Sequence, residues 1–408
     1  MIMERQIFSK LVQHLDKKAF TILIGARQVG KTTVLKQLYK LILSEKKSAF
    51  YLSFEDPAIL TQINEHPENI FRFVAKPVEN NGVIYVFIDE VQYAHNPSNL
   101  LKYLYDTYAP SLKILATGSS AFYIDQKFQD SLAGRKTIFE LFPLNFEEFL
   151  LFKNKEDLIS DFKLIKSNPT YISTQINTFK LLLEEYMQFG SYPAVVLAES
   201  VEDKIAILKE LKNSFLKKDI LESEIENEEK FYRLLTILAS QIGQMLNQHE
   251  LANTLKLNEK TLSRYIFILQ KCFHIQLVKP YFNNIRKELT KMPKAYFNDL
   301  GLRNCLLNQF GNIFERTDKG EILENLVYSL LRDSNERDTI KYWRTADNNE
   351  VDFVVETSFN QGKAFEVKWS ENAFSVNKYK KFTENYINFP LKPLTFDFKN
   401  SESFVLKL

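Results

Sequence analysis

The 408-residue chain has only two cysteines, Cys272 and Cys305. Two thiols make neither a disulfide framework nor a thiolate zinc site, and a reducing compartment follows as the expectation. Glycine (11) and proline (12) are scarce, which argues against flexible linkers and for well-packed elements joined by short loops. No apolar run approaches the roughly 18 residues that cross a bilayer. The opening Met1-Ile-Met-Glu-Arg-Gln-Ile-Phe8 lacks the apolar core of a secretion signal, so a cytoplasmic protein with no membrane partner is expected. The net charge of +2 gives no global bias toward nucleic acid, so only its local distribution can carry information. What is plentiful is aromatic surface, 34 Phe and 19 Tyr, enough with this length for two to four cored domains.

Up to about residue 150, short apolar runs at 20–24, 49–54, 83–88 and 112–117 alternate with helical patterns at 33–43 and 99–108. Alternation of this kind predicts a parallel sheet covered on both faces, with ligands beyond the carboxyl ends of the strands. From 145 to 230 the strands disappear, and 146–152, 176–189 and 205–216 show apolar positions three and four apart, as helices do. The last ninety or so residues return to a mixed α/β pattern.

Gly25-Ala26-Arg27-Gln28-Val29-Gly30-Lys31-Thr32-Thr33 matches the P-loop pattern between a strand and a helix. Two glycines let backbone amides turn inward around phosphate oxygens, at a helix start whose dipole favours anions. Lys31 would reach the β- and γ-phosphates and the Thr32 hydroxyl would ligate Mg²⁺. The run 83–88 ends in Asp89-Glu90, placed to hold that Mg²⁺ and to polarise an attacking water, respectively. A third strand runs into Gly118-Ser119-Ser120, where Ser119 is either a γ-phosphate sensor or an ordinary loop residue. Arg135, in Ser131-Leu-Ala-Gly134-Arg135, is either a guanidinium acting on the transferred phosphate, in cis or across a subunit boundary, or half of a surface salt bridge.

With these motifs, continued by Leu141-Phe-Pro-Leu-Asn-Phe-Glu-Glu-Phe149 and Phe189-Gly-Ser-Tyr-Pro193, the chain resembles a bacterial and archaeal branch of the AAA+ ATPases. Where members of that branch commonly read Gly-Gly-Tyr-Pro, this chain has Ser191. The resemblance implies ATP as the nucleotide, the stated roles for Lys31, Thr32, Asp89 and Glu90, and a helical lid after the core.

Residues 249–269 have the cadence of a helix-turn-helix, with Leu251, Ala252, Leu255, Leu262, Ile266 and Leu269 seating the helices. Segments 275–281 and 293–297 then pair as a wing. Between 256 and 294 stand nine Lys/Arg (256, 260, 264, 271, 279, 286, 287, 291, 294) against two acids (259, 288). That local excess reads as a DNA-binding face, with protein docking as the alternative use of such a module.

Near the end, Glu324 lies on or near the apolar face of an amphipathic helix and Asp352 beside an apolar strand. Glu366 and Lys368 alternate on the next strand, fourteen residues on (366 minus 352). This order is similar to the PD-(D/E)XK nucleases. The resemblance implies that Glu324, Asp352 and Glu366 hold a second Mg²⁺ or Mn²⁺ and that Lys368 activates water. An internal ion-pair cluster is the other reading of the same residues.

The expected fold is α/β: a P-loop AAA+ core with a parallel sheet (1–145), a helical lid (146–230), a winged helix-turn-helix (231–300) and a mixed α/β restriction-endonuclease-like domain (301–408). The expected function is Mg²⁺-dependent ATP hydrolysis acting on DNA or a DNA-bound complex, with a homo-oligomer allowed. Two alternatives stand: an ATP-driven regulatory switch with a docking tail, and an ATP-licensed nuclease effector.

Overall fold

The computed structural model describes residues 3–78, 82–118, 132–282, 288, 291–397 and 401–408. It divides into two compact units, Met1–Pro143 with Lys271–Phe273, and Leu144–Gln270 with His274–Leu408. The boundaries expected near 230 and 300 both fall inside the second unit.

The first unit is built on β1 (Phe20–Gly25), β2 (Ala49–Ser53), β3 (Ile84–Asp89), β4 (Leu112–Gly118) and β5 (Lys136–Leu141). All pair in parallel, in the order β2-β3-β4-β1-β5. β1, β3 and β4 are buried at every position, which is why they read as largely apolar runs, interrupted at Thr21 and Lys113, rather than alternating ones. β5 was not expected. It is an edge strand of mostly half-buried residues, and its Lys136-Thr-Ile-Phe-Glu-Leu141 carries no continuous apolar signal.

Helices α1 (Ile7–Gln13), α2 (Lys31–Ser44), α3 (Pro57–Glu65) and α4 (Pro97–Tyr108) accompany this sheet. α3 and α4 begin on side-chain caps, Asp56 and Asn96, each followed by proline. α2 begins on Gly30, whose φ of 100° belongs to the left-handed region that glycine tolerates. Gly25 is required for a different reason: a Cβ there would collide with the Leu141 carbonyl of β5.

The second unit opens with α5 (Phe146–Phe152), entered through a capping box between Asn145 and Glu148, then α6 (Glu156–Ser167), α7 (Ile176–Phe189), α8 (Pro193–Leu197) and α9 (Val201–Glu222). α10 (Glu228–Ser240), α11 (Gln248–Leu255) and α12 (Glu259–Lys271) follow, with Leu251, Ala252, Leu255, Leu262, Ile266 and Leu269 all buried. β6 (Ile275–Val278) and β7 (Lys294–Phe297) pair antiparallel. The hairpin is shorter than expected because Pro280 and Tyr281 leave it for β8 (Ile340–Arg344), where Tyr342 donates to the Lys279 carbonyl at 3.0 Å. α13 (Leu300–Leu307) and α14 (Lys319–Ser334) lead to a four-stranded sheet of β8 with β9 (Glu350–Ser358), β10 (Gln361–Lys368) and β11 (Leu391–Thr395). Its order is β11-β10-β9-β8, with only the β10–β11 pair parallel. Tyr281, Trp343, Val351, Val354, Ala364 and Phe382 pack together against it, with α15 (Lys380–Asn385) contributing the last of these.

The Phe189-Gly-Ser-Tyr-Pro193 stretch serves packing. Gly190 has a φ of 74°, and a Cβ there would strike the Asp299 carboxylate. Asp299 accepts from the Ser191 amide at 2.7 Å and caps α13 through the Leu302 amide at 2.7 Å. A serine fits because only its main chain is used for that bond. Burial pushes the Asp299 carboxyl up to about 6 from 3.8. The folded state therefore keeps a proton that the unfolded chain releases across that window, and the contribution of Asp299 to stability falls as pH rises through it. The difference in unfolding free energy, wild type minus Asp299→Asn, should decline between pH 3.8 and about 6 and stay level above, read from urea midpoints. A difference independent of pH would contradict this.

Candidate nucleotide site

β1 and β3 lie on either side of β4, so their carboxyl ends bring the P-loop, Asp89 and Thr117 side by side. In register, Leu23 pairs with Thr117 and Ile88 with Ala116. The loop 26–30 leaves β1 with Gln28 and Gly30 both at positive φ and turns directly into α2. The first-turn amides of any helix have no carbonyl of their own helix to bond, and here no cap side chain takes them. Lys31 is 4% exposed, its ammonium donating to the Gly25 carbonyl at 3.0 Å and the Ala26 carbonyl at 2.7 Å. The charge is thus held inside the turn.

Asp89 is the meeting point. Its Oδ1 accepts from the Thr32 hydroxyl at 3.1 Å and from the Thr117 hydroxyl. Its Oδ2 accepts from the Tyr51 hydroxyl of β2 at 2.8 Å. Thr117 also receives the Glu90 amide at 3.0 Å. Glu90 itself sits at φ 57°, with its carboxylate bonded by the Gln92 amide group. Burial, reinforced by the bond to Asp89, raises the Tyr51 phenol well above its ordinary value, so it stays a donor at any physiological pH. Arg5, 6% exposed, fastens the loop from the other side by donating to the Val29 carbonyl at 2.6 Å and the Phe142 carbonyl at 2.8 Å.

Of the residues expected at this site, 25–33, Asp89 and Glu90 lie at one end of the sheet. Ser119 lies outside the described residues. Arg135 is at the opposite end: its carbonyl accepts from the Phe20 amide at the start of β1, a strand's length of roughly 16 Å from Gly25. It pairs with Asp106 of α4, Nε to Oδ1 at 2.6 Å, which is the salt-bridge reading of that residue. Sequence reasoning missed Tyr51, Thr117, Gln92 and Arg5. Thr117 had a signal, a hydroxyl at the tip of a buried central strand; Tyr51, in a half-buried strand, had none.

In the second unit, Lys294 was counted with an exposed basic face but is 2% exposed. Its ammonium bonds Glu324 at 3.0 Å, pairs with Glu350 and lies 4.0 Å from Asp352. Burial pulls its pKa down, but Glu324, Asp352 and Glu350 outweigh that and raise it above the ordinary lysine value. Lys368 pairs with Glu366 and lies 4.0 Å from Asp352. Burial pushes the Glu324 and Glu366 carboxyls up to about 7. Among the described residues, no group of three or more His, Cys, Asp or Glu is arranged to hold a metal ion. Glu324, Asp352 and Glu366 are brought together with the Lys294 and Lys368 ammonium groups among them, the arrangement of the ion-pair reading. Glu288, likewise counted on the surface, is buried and bonded to Lys341 at 2.9 Å. Arg264 spends its guanidinium on the Ser223 carbonyl at 3.0 Å, Lys271 belongs to the first unit, and Arg286 and Lys287 lie outside the described residues.

Residues 17–150 match the AAA domain family. This segment is a P-loop AAA+ domain. Residues 180–312 and 319–395 match two families described as domains of unknown function (DUF8612 and DUF4143). The chain is 28% identical over 328 residues to an uncharacterized protein of Methanocaldococcus jannaschii, covering 76% of this chain and 67% of that one. It is 24% identical over 400 residues to an uncharacterized protein of Haemophilus influenzae (95% and 90% covered) and 26% identical over 372 to one of Mycobacterium tuberculosis (90% and 74%). Among solved structures, the Aeropyrum pernix ORC2 protein aligns at TM-score 0.39 and 12% identity, over 74% of this chain and 91% of that one. AMPPCP-bound DnaA from Aquifex aeolicus aligns at 0.31 and 16%, over 64% and 86%. Superpositions this loose say nothing of what the present chain binds. Among the described residues, no helix is long and apolar enough to cross a membrane.

The Tyr51 hydroxyl bonds a charged acceptor in a half-buried setting. Tyr51→Phe should lower the unfolding free energy of the AAA+ domain by about 2 kcal/mol in denaturant titrations without nucleotide. A change within about 0.5 kcal/mol would show that Asp89 is held without it.

Proposed function

We propose that the AAA+ domain binds ATP with Mg²⁺ and hydrolyses it. The convergence of Thr32, Tyr51 and Thr117 on Asp89, beside a loop that buries Lys31, supports this reading best. The donor set fits a hard cation: Thr32 Oγ1 and Asp89 Oδ1 are 3.1 Å apart, and both are oxygen ligands of the kind Mg²⁺ takes. Mg²⁺, when bound, offsets charge on the phosphate oxygens. The loop amides and the Lys31 ammonium bind and orient the triphosphate, Lys31 exchanging its two loop carbonyls for phosphate oxygens. Glu90 accepts the proton of the attacking water once Gln92 releases its carboxylate. Thr117, bonded both to Asp89 and to the Glu90 amide, keeps the two acids in fixed relation.

Calorimetry with Mg·ATP should give saturable heat for the wild type and none for Lys31→Ala. Glu90→Gln should retain the heat and lose turnover by about 100-fold or more. Equal heat from Lys31→Ala would reject the site.

A second reading couples the ATPase to DNA through α11 and α12. It is favoured by the exposed Lys256 and Lys260, with Lys291 exposed ahead of β7. Because Arg264 braces the end of α9, Lys260 is the cleaner probe. Lys260→Glu should weaken duplex binding and reduce the slope of log affinity against log salt by about 1. An unchanged slope would leave α11 and α12 as a protein dock.

A further inference from the structure

β7 delivers Lys294 to the acids of the tail, and its backbone is fixed on both sides. The Gly243 amide donates to the Ala295 carbonyl at 2.9 Å and the Leu246 amide to the Pro293 carbonyl at 2.7 Å. Asn325 of α14 brackets Phe297, accepting from its amide at 2.8 Å and donating to its carbonyl at 2.9 Å. These bonds fix the Cα of Lys294, whose side chain is 2% exposed.

At its tip the ammonium meets Glu324 from α14 and Glu350 and Asp352 from β9. Each acid is also held independently. The Tyr296 hydroxyl donates to Glu324 at 2.5 Å, Arg344 pairs with Glu350 at 2.7 Å, and the Val367 amide donates to Asp352 at 2.8 Å. On the far side Lys368 pairs with Glu366. Four carboxyl groups (324, 350, 352, 366) are thus met by three cations (294, 344, 368).

We propose that the Lys294 ammonium stands in the place of a divalent cation between Glu324 and Asp352, making the tail a metal-independent, non-cleaving module bonded to the β6–β7 hairpin. A divalent ion entering between those acids would have to lie within a few ångströms of a fixed ammonium. Like charges that close in a buried site repel strongly. Expelling the lysine instead would leave a cation buried without its partners. The same ammonium ties β7 to both α14 and β9, so the cluster does structural work that a nuclease would assign to metal. This inference is independent of the ATPase reading, because no residue of the AAA+ domain enters it.

The test is Mn²⁺ binding by the full chain without nucleotide, followed by electron paramagnetic resonance and by melting temperature with Mn²⁺ or EDTA. Wild type and Asp352→Asn should bind the same amount of Mn²⁺, and the wild-type melt should not respond to it. Lys294→Met, which keeps the volume and removes the charge, should gain a Mn²⁺ site and a Mn²⁺-dependent rise in melting temperature, both lost again in Lys294→Met/Asp352→Asn. Wild-type Mn²⁺ binding or plasmid nicking that Asp352→Asn abolishes and Lys31→Ala leaves intact would overturn the proposal. A folded Lys294→Met that takes up no Mn²⁺ would overturn it too. Should Lys294→Met not fold, the wild-type comparison with Asp352→Asn decides alone.

Discussion

The AAA+ domain depends on one carboxylate. Asp89 ends β3, beside the central β4, and three hydroxyls from three other elements close on it: Thr32 from α2, Tyr51 from β2 and Thr117 from β4. A parallel sheet makes this possible because all its strands end on the same side, and the order β2-β3-β4-β1 sets the relevant ends next to one another. Each bond fixes the position of a strand tip as well as a functional group. The P-loop is held by separate means, with Gly25 admitting β5 close to β1 and Arg5 bonding Val29 and Phe142. Site and sheet edge are therefore one piece of packing.

The second unit shows the same economy in a different material. The β6–β7 hairpin, Gly243, α14 and β9 meet around a single buried lysine. Further along, Gly190, Ser191 and Asp299 lock α7 to the start of α13 through main-chain bonds and one raised carboxyl. Motifs that stand out in the sequence for their glycines and acids are here joints between helices.

Legibility followed burial. The inner strands β1, β3 and β4 were readable because burial on both faces demands largely apolar runs, the edge strand β2 because Ala-Phe-Tyr-Leu is itself apolar, and the P-loop because Gly30 takes a positive φ and Gly25 leaves no room for a Cβ against Leu141. β5 escaped because an edge strand carries mixed residues. Tyr51 escaped because a tyrosine in a half-buried strand looks like packing until its hydroxyl partner is known. Lys294 misled for a related reason. Charge counting treats every lysine as solvated, and nothing local in Met-Pro-Lys-Ala-Tyr-Phe marks one whose three acid partners lie 30, 56 and 58 residues on (324, 350 and 352 minus 294). Arg264 was misplaced likewise, its surface position real but its guanidinium engaged as a helix cap.

The two acidic sites differ in what surrounds the carboxylates, and that difference decides their chemistry. Around Asp89 the partners are hydroxyls, which are neutral and can rotate. A hydroxyl that donates to a carboxylate can turn and offer a lone pair to a cation, which is how Thr32 would pass from hydrogen-bond donor to the metal ligand proposed above. Around Glu324, Asp352 and Glu366 two ammonium groups join the Tyr296 hydroxyl and the Val367 amide, and an ammonium carries three donors and no acceptor. The ammonium groups cannot become ligands, and their charge has already offset the attraction that would draw a cation in. Two clusters that read alike as strings of acids beside a lysine thus differ in kind: hydroxyls close on the first, and ammonium groups sit within the second.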